Sequence, residues 1–200
     1  MAVFAYIRAT LDGHHAIYVV GNHEHYHYDF KYTISDLKKR LKYLPNLQIL
    51  DKETWTLYDE VTFIGGTLWT DMNKEDALTM HHIKDGMADF QLVKNSNRMI
   101  TRKVPLYEEN LLWTEDGKNG PRYIKDEKGN MKIVASKDKL EPSKFSPEDA
   151  VEEHKKMLDF IRHVTEGQYD KKFVVCGHHT PSPFSIHPKY AHDELMNGGY

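Results

Sequence analysis

The chain has 200 residues, of which 40% are hydrophobic, and this is enough apolar material to bury a core of ordinary size. No apolar run approaches the roughly 20 residues of a membrane-spanning helix, and the first residues lack the layout of a signal peptide, so we expect a cytoplasmic protein with no membrane association. The net charge is −3 and the basic residues are dispersed, which gives no specific indication of nucleic-acid binding.

The first half of the chain is predicted to contain strands and one helix. Ala16–Val20 is a short apolar, β-branched run that ends at Gly21, and this is typical of a buried strand. Leucines recur at helical spacing over 33–44, where Thr33 or Ser35 would cap the helix. Three short strands are then predicted, at 47–50, 54–58 and 61–64. The last two of these strands are expected to form a hairpin.

The second half is predicted to contain an insertion, a long helix and a further strand. The polar segment at about 114–146 is expected to form a hairpin-like insertion within a single domain that covers 1–200. Ser146 and Asp149 have capping-box spacing, which predicts a helix directly after Ser146. Phe173–Cys176 is apolar and predicts a second buried strand.

Both predicted buried strands end in glycine and run directly into loops that contain histidine. The first continues as Gly21-Asn22-His23-Glu24 and the second as Gly177-His178-His179. We expect the loops to meet at one rim if the strands share a parallel sheet, with each glycine allowing a sharp turn of the backbone. Amide oxygen and imidazole nitrogen suit a divalent manganese, iron or zinc ion. The sequence therefore predicts Asn22 and His178 as metal ligands.

The residues beside these two ligands have candidate roles in the chemistry. His23 would stay uncoordinated and, when protonated, would donate a proton to a leaving oxygen. His179 would line the substrate pocket. Each of these residues also has a structural interpretation, as a turn residue or as a loop histidine bonded to backbone. Glu24 would either hold a neighbouring backbone group or histidine, or form a surface ion pair.

Other histidines and aromatic residues favour structural roles. His25 and His27 are expected in an exposed or half-buried loop. His154 falls on the apolar face of the helix after Ser146, where a hydrogen-bonded structural role is expected. Trp69 is expected in the core.

Three segments, in their order along the chain, carry a family resemblance. They are Gly21-Asn22-His23-Glu24, Thr67-Leu68-Trp69-Thr70-Asp71 and Gly177-His178-His179-Thr180-Pro181-Ser182. Together they resemble the calcineurin-like metallophosphoesterases, in particular a group found in bacteria and their phages. The resemblance implies an α/β fold, a metallophosphatase-like two-sheet β-sandwich flanked by helices. It also implies a two-metal centre in which a metal-activated hydroxide attacks a phosphate ester, with Asn22 and His178 on the second ion and His23 as the proton donor.

The family's remaining motifs have no counterpart in a suitable place. They are an Asp-x-His and a Gly-Asp before the first segment, and a late Gly-His-x-His. Asp12-Gly13-His14 spells the first of these, but too few residues separate it from Gly21 for a parallel crossover of about ten residues or more. We therefore expect a domain that is incomplete at both ends, with ion binding weakened or lost, and an oligomer or stabilising partner that covers its strand edges.

Two functions remain open from the sequence. One is metal-dependent hydrolysis of a phosphomonoester or phosphodiester. The other is a truncated, catalytically inactive domain with a binding or interaction role.

Overall fold

The computed structural model describes residues 14–107, 109–110, 122–123, 125–190 and 192–199. The expectation for Asp12-Gly13 lies outside these ranges. The chain is mixed α/β and divides into two compact units, one formed by 1–95 with 144–200 and the other by Ser96–Ser143.

The first unit contains both strands and helices, and the described part of the second unit is built from strands. In chain order, the strands are β1 (Ala16–Val19), β2 (Leu47–Leu50), β3 (Glu53–Leu57), β4 (Val61–Gly65), β5 (Lys94–Tyr107), β6 (Glu109–Asn110), β7 (Arg122–Tyr123), β8 (Ile133–Lys144) and β9 (Lys172–Cys176). The helices are α1 (Phe30–Leu41), α2 (Met72–Glu75), α3 (Ala77–Gly86), α4 (Asp89–Leu92), α5 (Pro147–Thr165) and α6 (Glu194–Asn197). None of the helices within the described ranges combines the length and the apolar character needed to cross a bilayer.

Two small sheets lie in the first unit. β1 and β2 are parallel, while β4 pairs antiparallel with β3 and parallel with β9. The strands predicted in the first half of the chain are confirmed to within one residue, and so is the β3–β4 hairpin. Their apolar runs are short and are bounded by turn residues, which is why the sequence located them well.

The helix α1 begins three residues earlier than predicted. Its cap is Asp29, whose carboxylate accepts a hydrogen bond from the backbone N–H of Lys31 at 3.1 Å, so the expectation of a Thr33 or Ser35 cap is wrong. The hydroxyl of Thr33 instead donates back to the carbonyl of Asp29 inside the first turn, at 2.9 Å. At the other end Leu41 is buried with Val20 and Ile49, so α1 covers the β1–β2 sheet.

The helix α5 begins as its sequence predicts. The Ser146 hydroxyl accepts from the N–H of Asp149 at 3.3 Å, and the Asp149 carboxylate accepts from the N–H of Ser146 at 2.9 Å. This reciprocal pair satisfies two backbone donors at the helix start. Met157 then packs with Ile64 and Leu68, which fixes α5 against β4 and the loop that follows it.

The loop after β4 has an unusual backbone. Leu68, Trp69 and all four residues of α2 have positive φ, so α2 is a left-handed turn. Left-handed residues other than glycine are costly and need support from their surroundings. Part of that support comes from α6, because the Asn73 amide donates to the carbonyl of Glu194 at 3.0 Å.

The strand β9 is more exposed than its apolar sequence suggested. Within the described residues it pairs with β4, and Val174 and Val175 are 42% and 47% exposed. The expectation of a buried strand is therefore wrong for this part of the structure. An apolar run cannot distinguish a central strand from an edge strand whose cover comes from elsewhere.

The second unit is built from ribbons of two strands. β5 pairs with β8, and β6 pairs antiparallel with β7. Residues 126–130 form a turn, in which the Asp126 carboxylate accepts from the N–H groups of Lys128 and Asn130. The predicted hairpin-like insertion needs correction, since its strands pair outside 114–146: Arg122–Tyr123 pairs with Glu109–Asn110, and β8 pairs with β5.

Candidate functional site

Three strand ends of the first unit meet at one rim, and Thr67 joins them. Thr67 follows β4, and its hydroxyl donates to the carbonyl of Val20 at 2.7 Å. Its own carbonyl accepts from the N–H groups of His178 and His179 at 3.3 and 3.2 Å. The loops were expected to meet because β1 and β9 would share a parallel sheet, but in the described residues these strands lie in different sheets. Thr67 connects the two loops instead.

The predicted proximity of Asn22 and His178 is confirmed. The Nε2 of His178 lies at hydrogen-bond distance, 3.0 Å, from the Oδ1 of Asn22, across 156 residues of chain. Two atoms that each lie about 2.1 Å from one ion, at about 90° to each other, are also about 3.0 Å apart. The pair therefore fits two neighbouring positions in the coordination sphere of a divalent ion, and its role as a ligand pair stays a prediction.

The glycines before the two loops have different roles, and neither is the predicted one. Neither Gly21 nor Gly177 has a positive φ, so neither provides a turn that only glycine allows. A methyl group on Gly21 would lie 2.7 to 2.9 Å from three ring atoms of His178, whereas one on Gly177 would meet Leu68 at an ordinary 3.4 Å. Gly21 is thus required because the His178 imidazole packs against its backbone.

Glu24 holds the loop after β1 in shape. Its carboxylate accepts from the N–H of Gly21 at 2.9 Å and from the hydroxyl of Tyr18 at 2.6 Å. Burial and the neighbouring Glu24 carboxylate raise the pKa of Tyr18 well above its ordinary value, so the phenol stays protonated and keeps donating. Of the two roles left open for Glu24, the structure shows the hydrogen bond to a neighbouring backbone group.

His23, the predicted proton donor, is exposed at the mouth of a cavity of about 620 Å³. Its ring packs on the ring of Tyr26, with 4.6 Å between the centroids. Residues lining the cavity include Asn22, His23, Tyr26, Asp89, His178 and His179. The structure thus brings all four predicted site residues to one cavity.

His179 is held more tightly than its predicted role in substrate binding requires. It is 6% exposed, its Nδ1–H donates to the carbonyl of Thr67 at 3.1 Å, and its ring stacks on Trp69. Burial lowers its pKa, so the ring is held neutral. The side chain forms part of the cavity wall, and a contact with substrate stays a prediction.

His25 corrects an expectation from the sequence. It was expected to be exposed or half-buried but is fully buried, and in the described part of the chain neither ring nitrogen has a hydrogen-bond partner. Burial lowers its pKa to about 4, so the ring is neutral near pH 7. The ring packs on Phe30 at 4.8 Å between centroids. Alternation of histidine with tyrosine gave no indication of this, because the inward direction is set by the short 3-10 turn His23–His25.

Tyr26 and Asp89 are cavity residues that the sequence did not identify. The hydroxyl of Tyr26 donates to Oδ2 of Asp89 at 3.0 Å. Asp89 is 1% exposed, and its second oxygen has no partner within the described residues. Asp89 begins α4, and no local pattern connects it to Tyr26 across 63 residues.

The structural assignments for Trp69 and His154 are confirmed. Trp69 is 5% exposed in the core. His154 donates from Nδ1 to the carbonyl of Leu68 at 2.9 Å and thereby ties α5 to the loop after β4.

The donors near the rim are few. Within the ranges that the structure describes, no group of three or more His, Cys, Asp or Glu side chains is arranged to hold a metal ion. Among the described residues, Asn22 and His178 are a pair of donors whose 3.0 Å separation fits a shared ion.

Part of the chain is similar in sequence to a viral protein. The chain is 31% identical over 103 residues to "Uncharacterized protein L509" of Acanthamoeba polyphaga mimivirus, a match that covers 49% of this chain and 35% of that protein. The match therefore spans about a third of the relative's length. No family model and no solved structure matches the chain.

Proposed function

We propose that the chain is a metal-dependent phosphoesterase that hydrolyses a phosphomonoester or phosphodiester on a metallophosphatase-like two-sheet sandwich. The observation that carries this proposal is the 3.0 Å approach of Asn22 Oδ1 and His178 Nε2 at a rim where three strand ends meet. The resemblance of the three segments to calcineurin-like metallophosphoesterases supports it.

Asn22 and His178 would hold one divalent ion, of manganese, iron or zinc. Amide oxygen is a neutral ligand, so it would leave the positive charge of the ion largely undiminished. When bound, such an ion supplies Lewis acidity that activates water and neutralises charge on a phosphate. The residues around the pair keep it in place, since Thr67 anchors the backbone of His178 and Gly21 gives its ring room.

His23 would supply the proton for the leaving group. It is exposed towards the cavity, next in sequence to Asn22, so a phosphate held at Asn22 would lie near its ring. General acids of this kind contribute about 10²- to 10⁴-fold to a rate. The cavity of about 620 Å³ is within the usual range for a small-molecule site.

The experiment is hydrolysis of bis(4-nitrophenyl) phosphate and 4-nitrophenyl phosphate with added Mn²⁺, comparing the native chain with His178→Ala and Asn22→Ala. We expect each substitution to lower the rate at least about tenfold, because each removes one of two donors. The matched control is His82→Ala, which removes an exposed histidine of α3 outside the cavity. Turnover by the native chain that survives His178→Ala would contradict the proposal.

The alternative, an inactive domain with a binding role, is favoured by the number of donors. Two side chains fit a shared ion, whereas tight sites in proteins use three or four protein ligands. This predicts that the protein passes a desalting column with clearly less than one metal ion per chain. Calorimetric binding of Mn²⁺ without hydrolysis of either substrate would support the alternative, and retention of two ions per chain would show that other ligands exist.

A further inference from the structure

The orientation of the His23 ring depends on ring packing. Its ring nitrogens have no hydrogen bond to the described residues, and its ring lies at 40° to that of Tyr26 with 4.6 Å between centroids. A proton donor works when its N–H is held within hydrogen-bond reach of the leaving oxygen. A free imidazole on an exposed turn samples several rotamers, so the contact with Tyr26 restricts it.

Tyr26 is in turn held by Asp89, another residue that lines the cavity. Its hydroxyl donates to Oδ2 of Asp89 at 3.0 Å, and Asp89 is 1% exposed at the start of α4. A hydrogen bond to a carboxylate is stronger than one between neutral groups, so it fixes the tilt of the phenol ring well.

Asp89 has an arrangement that stability alone does not favour. Its Oδ1 is buried and has no partner among the described residues. A buried carboxylate with an unpaired oxygen is costly, and a catalytic role is one of the reasons for which a native structure keeps such a group. Asp89 and Tyr26 also line the cavity that contains His23, Asn22 and His178.

We infer that Tyr26 and Asp89 are a positioning pair that orients the His23 imidazole towards the leaving group. This inference rests on the proposed phosphoesterase function. In the step concerned, the oxygen of a water forms a bond to phosphorus and releases a proton to solvent, while the P–O bond to the leaving group breaks and its electron pair stays on the leaving oxygen. The ring N–H proton of His23 moves to that oxygen, and the neutral imidazole later regains a proton from solvent. Asp89 and Tyr26 exchange no proton with substrate and act through the ring contact.

The first test is an NMR measurement of the His23 ring in Tyr26→Phe and Asp89→Asn, with the signal assigned by His23→Gln. Tyr26→Phe removes a single hydroxyl, so the effect of losing the Tyr26–Asp89 hydrogen bond can still be measured in this variant if Asp89→Asn fails to fold. We expect the Cε1–H signal of His23, shifted by the ring current of Tyr26, to move in both variants towards its position in Tyr26→Leu. Tyr32→Phe, which removes an exposed hydroxyl on α1, is the matched control and should leave the signal in place.

The second test uses leaving groups of different basicity. Proton donation matters more for phenyl phosphate than for 4-nitrophenyl phosphate, whose leaving group is stable as an anion. We expect Tyr26→Phe to lower kcat by about tenfold more with the phenyl ester, with little change in KM.

The outcomes separate the two proposals. Unchanged His23 signals in both variants, or equal losses with both esters, would overturn the positioning pair. The native chain could also show no turnover while the His23 signals move in both variants. This result would refute the proposed phosphoesterase function but would support the orientation of the His23 ring by Tyr26 and Asp89.

Discussion

The two strand ends that form the site differ in how they are supported. The β1 end is buried, with Val20 and Asn22 at 1% and 7% exposure, and Glu24 binds its own turn. The β9 end follows a strand whose valines are nearly half exposed, and its loop is anchored at the carbonyl of Thr67 and by the stacking of His179 on Trp69. The strand end on one side of the site is therefore buried, whereas the strand on the other side is nearly half exposed.

This difference indicates where the site is vulnerable. Changes on the β1 side alter packing and should affect stability and ligand geometry together. Changes on the β9 side should move His178 with less effect on the free energy of unfolding, because fewer buried contacts depend on that strand.

Alanine substitution of the two glycines tests the comparison most strongly. Gly21→Ala places a methyl group against the His178 ring, so we expect a loss of about 1–3 kcal/mol in unfolding free energy and a displaced ring. Gly177→Ala is the matched control and should change stability by less than about 0.5 kcal/mol, since its methyl group meets Leu68 at an ordinary distance. Chemical denaturation measures both, and equal losses would show that the strand ends do not differ in this way.

Acid sensitivity tests the burial of His25 on the β1 side. The folded-state pKa, lowered from 6.5 to about 4, means that the unfolded chain binds a proton more readily, so the stabilisation is present above pH 6.5 and is lost as pH falls towards 4. Between about pH 7.5 and pH 5 we expect His25 to account for roughly 2 kcal/mol of lost stability. His25→Leu should remove this loss of stability at low pH. His82→Leu, at an exposed position of α3, is the control and should show the same loss as the native chain. A pH dependence of unfolding unchanged in His25→Leu would contradict the buried neutral ring.

Thr67→Val tests the link between the strand ends with a smaller effect. The substitution keeps the shape but removes the hydroxyl that donates to Val20, so we expect a loss of about 1 kcal/mol. Thr56→Val, on the exposed face of β3, is the control and should stay within about 0.5 kcal/mol. If the two variants unfold at the same denaturant concentration, the Thr67 hydroxyl does not connect the rim.

The sequence predicted most of the local structure in the first unit. The strand end just before Gly21, the strand end at Cys176 and the capping box at Ser146 were visible because each depends on residues close together in the chain. The caps of α1 and the exposure of β9 were missed. Asp29 competes with two equally suitable capping residues nearby, and exposure depends on which strands lie alongside.

Within the site, the sequence found the residues that stand in motifs and missed those that connect them. Asn22 and His178 follow glycine at strand ends, and this pattern is local. Tyr26, Thr67 and Asp89 act through tertiary contacts across 47 to 112 residues, which no spacing in one sequence reveals. The role of Gly21 was misjudged for the same reason, since the atoms it accommodates belong to a distant loop.

The central claim is that Asn22 and His178 bind one ion together, and a double-mutant cycle of Mn²⁺ binding tests it directly. Affinity would be measured by electron paramagnetic resonance for the native chain, Asn22→Ala, His178→Ala and the double variant. We predict that each single substitution weakens binding by at least about tenfold and that the double variant is hardly weaker than either single one, because the two donors share one ion. Mn²⁺ binding that is unchanged in His178→Ala would contradict the account.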